Sequence, residues 1–93
     1  MEKICTVISE PEERVFNSVG RDGQPRQSTV LDVMLSDGLN TYLASAFDVT
    51  KAGFPAKGQK VAVELSFGVR KSEKDGVTRW FQSINIIRFA AIQ

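Results

Sequence analysis

Apolar side chains recur at every second position along much of this chain. The clearest series is Val61, Val63, Leu65, Phe67 and Val69. Successive side chains of a β-strand point to opposite faces of the sheet, so this spacing marks one face of a strand. Thr29, Leu31, Val33 and Leu35 form a second such series. The chain should therefore fold mainly into β-strands.

Turn residues separate the strand-like runs. Asp22-Gly23, Asp37-Gly38 and Asp75-Gly76 each lie between strand-like segments, and Asp-Gly is a strong hairpin signal. Between residues 47 and 60 the alternation stops. Asp48 could cap a single helical turn there, but Gly53, Pro55 and Gly58 rule out a long helix. Six strands are predicted: Ile4–Ser9, Arg14–Gly20, Gln27–Leu35, Thr41–Phe47, Lys60–Arg70 and Thr78–Ile92.

Short strands joined by hairpins, with one longer connection in the middle, favour a small antiparallel barrel with protruding β-hairpins. The five-stranded, partly open OB type is the leading candidate, and a small sandwich is the alternative. The whole chain, residues 1–93, is predicted to be one domain. A domain of this size has a modest core, so pairing with a second copy would stabilise it.

Composition places the chain among ordinary globular proteins, with 42% hydrophobic and 25% charged residues. No apolar run approaches the roughly 18 residues of a membrane span. The start, Met1 to Ile4, carries an acid and no long apolar stretch, so it does not resemble a signal peptide. These features predict a cytoplasmic protein. The single cysteine, Cys5, lies in an apolar segment and is expected to be buried.

The sequence offers little for catalysis. It contains no histidine, so the usual general base and the commonest metal ligand are both absent. There is no glycine-rich phosphate loop before a helix, and no Ser-His-Asp triad can form. Catalysis by carboxylates alone stays open. We expect a protein that is not an enzyme and that needs no metal or cofactor.

Charge is distributed unevenly although the net charge is only +1. Residues 1–48 hold four basic and eight acidic side chains, whereas residues 57–93 hold seven basic and three acidic ones. A polarised chain of this kind can present a basic face to a ligand, because attraction depends on the local field.

Two basic loops are candidates for a nucleic-acid site. One is the turn from Arg21 to Arg26, and the other runs from Arg70 to Gly76 and is followed by Arg79. Guanidinium groups bind phosphates and stack on bases, and aromatic side chains provide stacking surfaces for single strands. The aromatic candidates are Phe16, Tyr42, Phe47, Phe54, Phe67, Trp80 and Phe81.

Four or five of these seven aromatic residues are expected in the core, because a small barrel needs large apolar side chains. Trp80, Ile84 and Ile86 form the more core-like series of the last strand. Phe16 and Phe81, followed by Tyr42, are the residues expected to be exposed for stacking.

Three segments carry a resemblance to a known family. They are Arg21-Asp22-Gly23-Gln24-Pro25, Pro55-Ala56-Lys57-Gly58 and Val61-Ala62-Val63-Glu64-Leu65-Ser66. In this order and spacing, the chain resembles the single-stranded-DNA-binding (helix-destabilising, gene V-like) proteins of filamentous phages. Arg26 replaces the aromatic residue at the family's hairpin tip, and Ser83 and Asn85 replace basic residues on its last strand.

The resemblance implies an OB-type barrel that forms a two-fold homodimer and coats single-stranded DNA cooperatively during replication. RNA is a second possible ligand. The resemblance also implies that Arg21 contacts phosphate and that Met34 lies near a position where an aromatic ring stacks on a base. The predicted nucleic-acid-binding residues are Arg14, Phe16, Arg21, Arg26, Ser28, Met34, Tyr42, Arg70, Lys71, Lys74, Arg79 and Phe81. The alternative function is that of a small protein-interaction or accessory subunit that does not bind nucleic acid.

Overall fold

The computed structural model describes residues 1–92 and is almost entirely β. Its strands are β1 (Glu2–Val7), β2 (Glu12–Val19), β3 (Pro25–Ser36), β4 (Thr41–Phe47), β5 (Lys60–Lys74) and β6 (Val77–Ala91). All six predicted strands are present, and the predicted all-β class is confirmed. Three of them, β3, β5 and β6, extend closer to their hairpin turns than predicted, because strand pairing continues up to the turn residues.

Five strands form a closed ring. In order around it they are β1, β5, β6, β4 and β3, and β3 pairs with β1 to complete the circle. This is a small barrel of the predicted OB type. One contact is not antiparallel: β4 and β6 run parallel and meet at the single pair Ser45 and Asn85. Because one residue pair joins β4 to β6, the barrel is only weakly closed at this point, as in a partly open barrel.

Two hairpin arms extend from the barrel. The first arm is β2 with the part of β3 paired to it, residues 12–32. In the described range, 1–92, β2 pairs with no other strand. The second arm is the distal part of β5 and β6, residues 68–83. Asp75 and Gly76 both have positive φ, 53° and 74°, as a tight two-residue hairpin turn requires.

The core lies inside the ring. Leu31, Val33 and Leu35 of β3 and Val61, Val63 and Leu65 of β5 are at most 3% exposed, as their alternation predicts. Cys5 is also buried, as predicted, and this burial raises the pKa of its thiol. A 3-10 turn, Lys51–Gly53, connects β4 to β5. Thr50 caps it, not Asp48 as predicted, because the Thr50 side chain accepts a hydrogen bond from the Gly53 N–H.

The expected burial of aromatic residues is wrong for several positions. Only Tyr42 and Phe54 of the seven are buried, and Trp80 is 66% exposed. Phe67 and Val69 continue the buried series of β5 yet are also exposed. The physical reason is the length of β5 and β6: their alternation continues along the second arm, where no opposite wall of the barrel covers it.

Asp37 fastens the turn between β3 and β4 to β1. Its carboxylate accepts hydrogen bonds from the backbone N–H groups of Asn40 and Leu39 and from the Tyr42 hydroxyl, 2.9 Å away. Lys3 of β1 lies 3.1 Å from the same carboxylate. These contacts, led by the two backbone N–H groups, hold the pKa of Asp37 well below its ordinary value. The buried Tyr42 is thus a structural residue.

Within residues 1–92 the 3-10 turn is the one helical element, and no helix there is long and apolar enough to cross a membrane.

Candidate nucleic-acid interface

An open groove of about 740 Å³ lies on the outside of the barrel, where both arms begin. It crosses the narrow junction between β4 and β6. Its lining comes from β2, β3, β4, β5 and β6: Glu12, Arg14, Asp32, Leu43, Ser45, Phe47, Arg70, Phe81, Gln82, Ser83, Ile84 and Asn85. An OB barrel binds oligonucleotides on the outer surface of its second and third strands, flanked by loops. Because β2 lies outside the ring, β3 and β4 are the second and third strands of the barrel in this chain.

Strand register places half of the first arm's side chains on the groove side. Glu12 is opposite Asp32, Arg14 is opposite Val30, and Phe16 is opposite Ser28. Directly opposed residues point to the same face, as do residues two apart along a strand. One face of β2 and β3 therefore carries five of the predicted site residues, namely Arg14, Phe16, Arg26, Ser28 and Met34.

Strand register also divides the side chains of the second arm between two faces. Arg70 is opposite Phe81, Ser72 is opposite Arg79, and Lys74 is opposite Val77. These residues lie on the face that continues from Asn85 and Ser83, which line the groove. The predicted site residues Arg70, Lys74, Arg79 and Phe81 thus share one face of the arm.

Three predicted residues lie elsewhere. Tyr42 points into the core, so its expected exposure is wrong. Lys71 is opposite Trp80 on the other face of the second arm, with its ammonium 5.5 Å from the centre of the indole ring. Arg21 lies in the turn at the tip of the first arm, beyond the groove lining.

Aromatic rings lie at both ends of the groove. Phe16 and Phe47 pack edge to face with ring centres 6.3 Å apart, and both are about half exposed. At the other end Phe81 is 42% exposed, and the Arg70 guanidinium lies over its ring at 5.1 Å. The predicted exposure of Phe16 and Phe81 is confirmed. Phe47 was not among the predicted site residues. The alternation of β4 could have identified it: Tyr42, Ala44 and Ala46 point into the core, so Phe47 points outwards.

The cations of the groove face differ in how well they are neutralised. Arg14 donates to Asp32 through its Nε at 2.6 Å, and Arg26 lies 3.4 Å from Asp22. By contrast, Arg70, Lys74 and Arg79 form no ion pair with any residue in the range 1–92. The second arm therefore offers the less neutralised positive charge.

No group of three or more His, Cys, Asp or Glu side chains within residues 1–92 is arranged to hold a metal ion. No protein-family model matches this chain, and no curated protein matches it significantly. The function must therefore be inferred from the geometry of the groove.

Proposed function

We propose that this protein binds single-stranded DNA in the groove between its two arms, without catalysis and with wide sequence tolerance. One observation carries the proposal: a single open groove is lined by arginines from both arms and by exposed aromatic rings at its two ends. Phosphates can pair with the cations while unstacked bases lie against the rings. RNA offers the same two features and is the second candidate ligand.

Single strands suit the groove better than duplexes. Phe47 and Phe81 line the groove, and Phe16 packs against Phe47. Stacking on these rings needs a base face that a duplex hides within its own stack. The uncompensated cations Arg70, Lys74 and Arg79 follow one face of the second arm and can track a phosphate backbone.

The biological role that fits is sequestration of single strands during phage replication, in the host cytoplasm. The resemblance to filamentous-phage proteins supports this part of the proposal. The match at the tip of the first arm has a structural counterpart: Gly23 has a φ of 76°, and Asp22 accepts a hydrogen bond from the backbone N–H of Gln24. Arg21 is then a phosphate contact at the outer end of the bound strand.

The opposite face of the second arm supports a homodimer. It exposes Val69 and Trp80, each by 66%, and Phe67 by 43%. A two-stranded hairpin with an uncovered apolar face is marginally stable in water, so covering this face stabilises the arm.

A second copy of the chain is the occupant that the charges favour. The same face carries both signs near the tip of the arm, since Lys71 lies 2.9 Å from Glu73. In a two-fold interface each patch meets its own copy, so mixed charges can pair across the axis. This arrangement leaves the groove face of each arm free for nucleic acid.

The test is a titration of fluorescently labelled oligonucleotides of about 16 nucleotides, a length at the upper end for one OB domain. We expect saturable binding of the single strand at low salt, weaker binding of the matching duplex, and a linear fall of log affinity with log salt concentration. If neither oligonucleotide binds at low salt, the proposal fails. The exposed face of the second arm that carries Phe67, Val69 and Trp80 (the Trp80 face) would then be better explained as the binding surface of an accessory subunit that contacts only proteins.

A further inference from the structure

The floor of the groove carries a row of polar side chains that phosphate binding does not explain. Glu12, Asp32, Ser45 and Asn85 are directly opposed across four strands, β2, β3, β4 and β6. All four line the groove. Two of them are carboxylates, which repel a phosphate backbone. Their place on the floor therefore suits a different part of the ligand.

The row lies between the two aromatic ends of the groove. Phe47 follows Ser45 by two residues on β4, and Phe81 precedes Asn85 by four residues on β6. Because β4 and β6 run parallel at this point, Phe47 and Phe81 lie on opposite sides of the row. A base stacked on either ring can direct its hydrogen-bonding edge towards the carboxylates.

The two carboxylates keep free acceptor capacity. Asp32 accepts from Arg14 at one oxygen and from the Ser45 hydroxyl at the other, both at 2.6 Å. A carboxylate has about four lone-pair sites, so two remain. Glu12 is exposed, and its side chain forms no hydrogen bond or ion pair with any residue in the range 1–92.

Acceptors of this kind distinguish between bases. The exocyclic amino groups of cytosine, adenine and guanine donate hydrogen bonds to a carboxylate, as in pairs of Glu or Asp with cytosine N4. Thymine and uracil carry a carbonyl oxygen at position 4, where cytosine carries its amino group, and a carboxylate that faces this position repels that oxygen although their N3–H remains a donor. We propose that Glu12, with Asp32 beside it, selects bases with exocyclic amino groups, so that the groove binds such strands more tightly than oligothymidylate. This inference rests on the proposed function.

The experiment compares oligo-dC with oligo-dT of equal length at neutral pH and fixed salt. The two bases are both pyrimidines and differ most at position 4, where an amino group replaces a carbonyl. We expect the protein to bind oligo-dC about tenfold more tightly, within the usual range for a base-edge contact. The readout is the ratio of the two dissociation constants, in which the shared phosphate contacts cancel.

The Glu12→Gln variant tests the assignment to a residue. Its amide N–H can donate to the thymine carbonyl, so the dC:dT ratio should fall to about one or reverse. Glu10→Gln is the matched control, because Glu10 is an exposed acid close in sequence but outside the groove lining. It removes the same charge and should leave the ratio unchanged.

Two results would overturn this inference while leaving single-strand binding intact. One is equal or tighter binding of oligo-dT by the unaltered protein, and the other is a dC preference that Glu12→Gln does not change. Failure of both oligonucleotides to bind would instead refute the proposed function, and the base preference with it.

Discussion

At the scale of single residues, Asp37 shows how one polar group stabilises a small barrel. It receives two backbone N–H groups of its own turn, the Tyr42 hydroxyl and the Lys3 ammonium. The turn, β4 and β1 are thereby joined around one carboxylate close to the barrel core. All these contacts favour the ionised form, which explains the lowered pKa of Asp37.

Asp37→Asn should therefore destabilise the protein at neutral pH, and the difference from the unaltered protein should shrink in acid. A carboxyl with a lowered pKa in the folded state contributes stability above its unfolded pKa, about 3.9, and loses it as the pH falls below that value. Urea unfolding followed by circular dichroism at pH 7 and at several values below about pH 4 measures this. Asp75→Asn is the control, and it should keep the pH course of the unaltered protein. A difference for Asp37→Asn that is constant with pH would refute the role of its charge.

Phe81 is the residue for which base stacking is argued most directly. It is partly exposed on the groove side, and Arg70 lies over its ring. Phe81→Ala should weaken single-strand binding by about 1–3 kcal/mol, the usual contribution of one stacked base. Val15→Ala removes apolar surface from the other face of β2 and should have little effect. A loss far below 1 kcal/mol for Phe81→Ala would assign its ring to the scaffold.

At the scale of elements, each arm separates two kinds of surface. Alternation places Arg70, Lys74 and Arg79 on one face of the second arm and Lys71 with Trp80 on the other. The sequence could predict that these residues lie in a basic hairpin. It could not predict which face meets the groove, because that depends on how β6 passes β4 at the Ser45–Asn85 contact.

Lys74→Gln and Lys71→Gln test this separation with equal changes of charge. Lys74→Gln should reduce the slope of log affinity against log salt by about 0.7, as expected for one lost phosphate contact. Lys71→Gln should leave the slope nearly unchanged, because its side chain lies on the opposite face. Titrations at four or more salt concentrations measure both slopes. Equal reductions for the two variants would contradict a single DNA-binding face.

The element scale also explains why the expected aromatic core is wrong. Alternation identifies the inward face of Leu65, Phe67 and Val69, but it does not show where the barrel ends. Leu65 is buried under the opposite wall, whereas Val69 lies beyond it. Two long strands that leave the barrel keep the pattern of a core strand without its burial.

At the scale of the whole molecule, each face of the second arm has a different proposed binding partner. In our proposal the groove face binds the strand, and the Trp80 face binds a second copy of the chain. The all-β class and the hairpins follow from alternation and Asp-Gly turns alone. The closed ring does not, because the parallel contact of β4 with β6 joins segments that are distant in the sequence.

Val69→Glu should convert the proposed dimer to a monomer, because it places a charge in the centre of the apolar face. Sedimentation equilibrium measures the mass of the unaltered protein and of the Val69→Glu variant in solution. Val15→Glu is the matched control, since Val15 is similarly exposed but lies on the first arm. A monomeric unaltered protein, or a dimer that Val69→Glu leaves intact, would contradict the proposed interface.

The central claim is that a single strand lies in the groove between the arms, and photo-cross-linking tests it most directly. An oligonucleotide that carries iodouracil at successive positions reacts with aromatic side chains that contact its bases. We expect cross-links to Phe81 and to the Phe16–Phe47 pair, identified by mass spectrometry of the peptides. Trp80 is the internal control, because its ring lies on the opposite face of the second arm. Cross-links to Trp80 with none to Phe16, Phe47 or Phe81 would contradict the account.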